Sequence, residues 1–299
     1  METLRKLGYT INAGLEMRAI SNGGRFVYTN EGNYAAIGEV ISSFFESFLI
    51  SEFGFLRHKI PISADPAEST TSVLLSRGAV NSELLLVIVP THTVRGCGLW
   101  FRKACINDNL YIGSMINYIR DFIALGYKII LLNPNIPVSE SRCPADHLVY
   151  VYDHIISKSI SSSITWLCHQ IGSQTLSHLL STRPQVEAKS ACYLLLDPVP
   201  TEFPDTVRAS VFSKSRAWIT TTETLGSVSR ERQRIGCDAI SLGTKSEILA
   251  PGAAQNLMFE WLRNQSNPAL RRHFPTANIV RENSIRLEER ERYWKRRLH

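Results

Sequence analysis

The segment Ile164-Thr165-Trp166-Leu167-Cys168-His169-Gln170-Ile171-Gly172-Ser173 runs from an apolar stretch through a tight turn into a helix-forming stretch. This is the outline of a nucleophile elbow, G-x-S-x-G, in which a strand turns sharply into a helix. The turn lifts the central side chain above the sheet for attack on a carbonyl. Gln170 holds the central position here, and Gly172 keeps its place two residues later. A carboxamide has no proton whose removal leaves a usable nucleophile, so covalent acyl transfer by this route is closed. The frame belongs to an enzyme and the attacking group is missing.

Such a site also needs a base, an acid that orients the base, and oxyanion donors. The donors should come from the loop after the first core strand, which reads Pro90-Thr91-His92-Thr93 and continues through Arg95. Proline removes one backbone N–H, and β-branched threonines crowd the approach. Asp197, at the end of a strand, reads either as a triad acid or as a loop cap beside Pro198. The late loop Leu242-Gly243-Thr244-Lys245-Ser246-Glu247 should carry the base, yet it has no histidine; Ser246 stands near that place. Cys168 and Ser173 read as a buried thiol and a helix-start serine, neither with an assigned base. A rearranged site would pair Asp197 with His92 or His169. His147 and His154 lie seven residues apart, on one helical face with no third ligand, and His147 reads as a structural neighbour of Asp146.

Strand-like and helix-like segments alternate along the chain, the signature of a mostly parallel sheet covered by helices. Arg25–Thr29 reads as an early strand, Tyr34–Leu49 as a helix, and residues 61–82 as a polar loop. Leu84–Val89, Tyr127–Leu132, Ser163–Cys168 and Cys192–Leu196 read as buried strands, with Ala217–Thr220 as a further one. Helices are expected at 112–125, from Pro144, at 173–180 and at 253–263. The result is one α/β unit with a doubly wound sheet over residues 1–264, followed by a basic, helix-patterned extension over 265–299. Its site falls at the carboxyl ends of the strands.

Charge separates these two parts. Residues 271–299 hold nine basic residues against four glutamates, so +5 of the chain's +6 lies in the tail. Arg290, Arg292, Trp294, Lys295, Arg296 and Arg297 read either as a solvated helix or as an arm for RNA, DNA or an acidic partner. The six cysteines form no C-x-x-C pair and read as reduced thiols, so neither metal nor cofactor is expected. The longest apolar run, Leu84 to Pro90, is too short to span a bilayer, and no secretory signal opens the chain. No membrane partner is expected.

Taken in order, the motifs resemble the Arb2 domain family, the group of Argonaute-binding protein 2 and the animal co-transcriptional regulators, over roughly residues 7 to 264. The opening resemblance is Gly8-Tyr9 with Asn12, Leu15 and Arg18. It continues in Leu84–Val89 with Val94-Arg95, Trp100 and Arg102, then Ile106-Asn107, Leu110, Gly113 and Ile119. The sharpest parts are Gly126-Tyr127 leading to Leu132-Asn133-Pro134-Asn135, and Pro144-Ala145-Asp146-His147 running on to Tyr150-Val151-Tyr152-Asp153-His154. The resemblance implies a three-layer α/β-hydrolase-like fold. It also implies departures: animal-type members keep a His-Gly-Ser-Gly loop, an elbow serine and a late histidine. This chain has Pro90-Thr91-His92-Thr93, Gln170 and Ser246-Glu247, and one extra residue between Arg95 and Trp100.

The expectation is therefore a catalytically inactive hydrolase-fold adaptor in the nucleus, the cytoplasm or both. By resemblance, its partners are Argonaute and small-RNA silencing factors, heterochromatin components, histone deacetylases or splicing factors. The partner surface is expected at the former substrate mouth, around His92, Arg95, His169 and Gln170. The alternatives are a rearranged-site hydrolase, or nucleic-acid binding through the tail.

Overall fold

The computed structural model describes residues 2–264, apart from Ala64, Pro66, Ala67 and Thr93. A short helix α1 (Glu2–Lys6) leads into a hairpin of β1 (Tyr9–Ile11) and β2 (Met17–Ala19). Helix α2 (Glu31–Phe53) follows, capped by the Asn30 side chain, which accepts from Asn33 N–H, and stopped by Gly54 at φ 68°. By length and composition α2 could cross a bilayer, but Ile37, Ile41, Phe45 and Leu49 are buried in the core. Then come β3 (Phe55–Ile60), β4 (Thr71–Ser76), β5 (Leu84–Val89), α3 (Arg102–Asn107), α4 (Leu110–Gly113), α5 (Ile116–Ala124) and β6 (Lys128–Leu131). The second half holds α6 (Pro144–His154), β7 (Ser163–His169), α7 (Gly172–Thr182), α8 (Val186–Lys189) and β8 (Ser190–Leu196). It closes with α9 (Asp205–Ser213), β9 (Ser215–Ile219), α10 (Arg232–Ile235), β10 (Asp238–Ser241) and α11 (Ala250–Arg263).

Eight strands form one sheet in the order β10-β9-β8-β7-β5-β6-β4-β3, parallel except where β4 meets β6 and β3. Burial on both faces makes the central strands continuous apolar runs, and their alternation feeds two cores. Leu84, Leu86 and Ile88 of β5 face a cluster with α2, α5 and α11; Leu85, Val87 and Val89 face one with α6, α7 and α9. This is the three-layer α/β-hydrolase-like architecture. The chain leaves β5 for β6 on one side and returns to β7 on the other, so β5 and β7 are neighbours, with Val89 opposite Cys168. Their carboxyl ends open at this switch point, where such folds place their sites.

Several elements differ from the sequence reading. Arg25–Thr29 forms no strand, because no segment runs beside it; β1 and β2 make the early hairpin instead. The expected loop 61–82 contains β4, whose pairing partners β3 and β6 are supplied by other parts of the chain. The expected helix at 112–125 breaks at Ser114-Met115 into α4 and α5. Also unexpected were β3, α9 and the short strand β10 at the far edge.

Candidate functional site

The elbow backbone is intact. β7 ends at His169, Gln170 takes φ 49° in the left-handed region, and α7 starts at Gly172. A non-glycine residue in that conformation costs roughly 1–2 kcal/mol, held by its surroundings. The Gln170 N–H donates to Leu196 O at 2.9 Å, and its carbonyl accepts from the Ser173 hydroxyl at 3.0 Å. Ser173 also pairs with Thr201 across 2.7 Å, so it fastens the turn. Gly172 is required by close approach: a Cβ there would lie 2.3 Å from the Val89 carbonyl oxygen. Helix α7 is thereby drawn against the end of β5.

The Gln170 side chain is half-buried and donates through Nε2 to Glu247 Oε2 at 3.0 Å. Glu247 opens a single 3-10 turn, Glu247–Leu249, on the loop where a base would stand. Ser246, the residue singled out there from sequence, donates its backbone N–H to Thr244 Oγ1 at 3.0 Å, and its carbonyl accepts from the Leu249 N–H at 3.1 Å. Of the pair Ser246-Glu247 that the sequence reading placed at this loop, it is Glu247 whose side chain meets Gln170.

Asp197, at φ 47°, holds the ends of β8 and β9 together. Its Oδ1 accepts from the Thr220 N–H at 3.0 Å and the Thr220 hydroxyl at 2.7 Å. Of the two readings of this residue, these bonds are those of a loop cap. His169 is fully buried, edge-on to Trp100 at 5.2 Å and Phe101 at 5.0 Å, with neither ring nitrogen hydrogen-bonded. Burial without a partner pushes its pKa down to about 3, so the ring is neutral. It lies inside the core and is not part of a surface mouth. Burial likewise pushes the Cys168 thiol well up.

The Asn133-Pro134-Asn135 motif acts on the loop after β5. Asn135 Nδ2 donates to the carbonyls of Thr91 (2.9 Å) and Val94, while Asn133 Oδ1 accepts from the Gly96 N–H at 2.9 Å. From the opposite side, Ser42 of α2 donates to Arg95 O at 2.9 Å, and Glu46 accepts from the Cys97 N–H at 3.1 Å. Glu46 is itself held by Arg57 at 2.9 Å. Gly96 sits at φ 109°, where a Cβ would come within 2.8 Å of Ser42. His92 and the Arg95 side chain remain exposed on this pinned loop.

Pro144 occupies the first turn of α6, behind Cys143, whose sulfur accepts from Asp146 N–H. His147 is fully buried and bonds Ser141 Oγ through Nδ1 at 2.9 Å, so its partner is a hydroxyl and not Asp146. Burial pushes its pKa down to about 3. His154, expected on the same face, is exposed at the helix end and stacks near Tyr150 at 4.1 Å. No group of three His, Cys, Asp or Glu suited to a metal occurs among the described residues. The tail residues Arg290, Arg292, Trp294, Lys295, Arg296 and Arg297 lie outside the described residues.

Residues 1–140 match the Arb2 domain. Over most of its length the chain is similar to the "Cotranscriptional regulator ARB2A homolog" of Xenopus tropicalis: 24% identical, over 96% of this chain and 85% of that protein. The human "Cotranscriptional regulator ARB2A" is 22% identical over 95% of this chain and 83% of its own. Among solved structures, that of the histone deacetylase Clr3 superposes with a TM-score of 0.55 at 17% identity. The match covers 80% of this chain and 40% of Clr3, and it is a likeness of fold.

Proposed function

We propose that this chain, whose first 140 residues carry the Arb2 domain, is a catalytically silent hydrolase-fold adaptor in a cotranscriptional or chromatin-linked complex. The observation behind this reading is the elbow itself. Its strained turn and close-packed glycine are kept, while its central side chain is a carboxamide bonded to Glu247 where a nucleophile and base would face each other. A base is useful only with a nucleophile to activate, and the carboxamide of Gln170 is not one. The names of the curated relatives support a regulatory role. In this reading the chain works in the nucleus, or between nucleus and cytoplasm, with Argonaute-type, histone deacetylase or RNA-processing subunits as its partners.

The first test is affinity purification of the tagged full-length chain from its own cells, with mass spectrometry of the recovered proteins. Recovery of chromatin or RNA-processing subunits is the expected result, and recovery of the chain alone sinks the adaptor reading. The second is labelling with a fluorophosphonate probe, expected to be silent in the wild type. Labelling that survives Gln170→Ala would point to the rearranged-site hydrolase instead. Partner loss on Gln170→Arg combined with His92→Glu would place the contact at the elbow mouth.

A further inference from the structure

The eight-stranded sheet has two edges, and among the described residues only one is covered. At β10 the segment 227–229 runs alongside. Val228 bridges Ile240 antiparallel, Ser229 N–H donates to Ala239 O at 2.8 Å, and Ser241 N–H donates to Ser227 O at 2.9 Å. At the other end β3 pairs with β4 alone, in register from Phe55 opposite Ser76 to Ile60 opposite Thr71. In an antiparallel ladder every second residue turns its N–H and C=O away from its neighbour. Among the described residues, no backbone hydrogen bond other than those to β4 reaches β3. A bare row of donors and acceptors is a template for one further strand.

The side chains along this row narrow what that strand can be. Phe55 and Ile60 are buried at the two ends, and Leu56, Arg57, His58 and Lys59 between them are all exposed. Alternation places Phe55, Arg57 and Lys59 on the α2 face, where Arg57 binds Glu46 of α2 at 2.9 Å. Lys59 on that face and His58 on the other have no ion pair or side-chain hydrogen bond among the described residues. Leu56, on the face of His58, is 44% exposed and offers an apolar contact. A second copy pairing antiparallel about His58 would set Arg57 of one copy against Lys59 of the other, and like charges directly opposite are destabilising. Residues 271–299, with nine basic residues against four glutamates, meet the same repulsion. Lysine on an edge turns away apolar and basic strands and leaves an acidic one favoured.

We propose that the open edge of β3 docks an extended acidic segment of a partner protein as a further strand of the sheet. Its acidic side chains lie opposite Lys59 on one face, and an apolar residue meets Leu56 on the other. Backbone bonds hold such a segment, and the alternation of its side chains selects it. The edge is four strand spacings from β7 and the elbow, roughly 19 Å. This surface is therefore separate from the elbow mouth, and the inference stands whether or not the elbow is silent.

The test titrates the full-length protein, labelled with nitrogen-15, with three short capped peptides. One alternates glutamate with valine, one alternates lysine with valine, and the third is the glutamate peptide N-methylated at every residue. The acidic peptide should shift the amides of Phe55–Ile60 saturably, with a midpoint on the order of 1 mM, and slow their hydrogen exchange. The lysine peptide should leave them in place, and so should the N-methylated one, which has no N–H to donate to the edge. His58→Glu combined with Lys59→Glu changes two exposed positions. It should weaken the acidic peptide roughly tenfold and bind the lysine peptide instead, an exchange that loss of folding cannot produce. Absent β3 shifts, equal shifts from the acidic and lysine peptides, or an unexchanged preference in the double variant would overturn the acidic occupant. Binding that survives N-methylation would overturn strand addition. Shifts confined to residues 271–299 would give the peptide to the tail, and β3 shifts that follow protein concentration without peptide would give the edge to a second copy; either result overturns the proposal.

Discussion

Replacing Gln170 with glycine should leave the protein about as stable as the wild type, although it deletes a hydrogen bond. Gln170 sits at φ 49°, and a Cβ in that region costs roughly 1–2 kcal/mol against the following carbonyl. Glycine removes that cost and returns about 0.5–1 kcal/mol of it through the greater freedom of its unfolded chain. The bond to Glu247 spans 3.0 Å between a half-buried amide and an exposed carboxylate, and such a contact contributes about 0.5 kcal/mol. Gln170→Ala loses the bond and keeps the strain, so it should fall about 0.5 kcal/mol below wild type. Gly should exceed Ala by about 1 kcal/mol, or roughly 1–2 °C in a chain of this size. Thermal unfolding by circular dichroism, with urea titrations to check that the m-values agree, reads the difference. Coincident Gly and Ala midpoints would mean that the elbow stores no strain, and the argument for a retained enzyme turn would lose its energetic basis.

Three other outcomes follow from the same geometry. Asn135→Asp replaces two donations to the Thr91 and Val94 carbonyls with a repelling charge, at a cost of about 3 kcal/mol. Hydrogen exchange should speed up at Thr91 and Val94–Cys97 and stay unchanged in β8 and β9. Gly172→Ala drives a methyl to 2.3 Å from the Val89 carbonyl and should cost roughly 3 kcal/mol, measured by urea unfolding; a neutral effect would show that α7 can move away from β5. His147 and His169 are held neutral, with pKa values of about 3 in the folded state against an ordinary value near 6.5. Their folded pKa is depressed, so the unfolded chain binds more protons between these limits. The stability they allow is complete above pH 6.5 and is lost as pH falls toward 3. The loss is on the order of 1.4 kcal/mol per pH unit per histidine. His169→Phe keeps an aromatic ring between Trp100 and Phe101, and should halve this two-histidine slope between pH 6 and 5; an unaltered slope would count against its burial.

The sequence made the centre of the sheet legible, because strands buried on both faces are written as unbroken apolar runs. Leu84–Val89 and Cys192–Leu196 could be read almost to the residue. Helix starts were legible where local chemistry marks them, at Pro144 and, one residue late, at Ser173 for the helix that begins at Gly172. The edges were not. β3 exposes four of its six residues and so carries no apolar run, and β10 is only four residues long. Arg25–Thr29 has the composition of a strand and no neighbour to pair with, which shows that composition names a tendency and topology decides it. The elbow was visible because its residues are consecutive. Its partner was not: Glu247 lies 77 positions away, and the reach of Asn135 to Thr91 crosses 44. Nothing in the local pattern of either residue announces those bonds.

The pinned loop after β5 also has a kinetic consequence. Asn133 and Asn135, just after β6, and Ser42 and Glu46 of α2 hold it, so the carbonyls of Thr91, Val94 and Arg95 and the amides of Gly96 and Cys97 are already committed before anything arrives. A partner that met His92 and Arg95 there would dock against a backbone held in advance and would lose little further freedom at the contact. Encounter would then set the association rate. Substitutions on this face would change how long a complex lasts far more than how fast it forms.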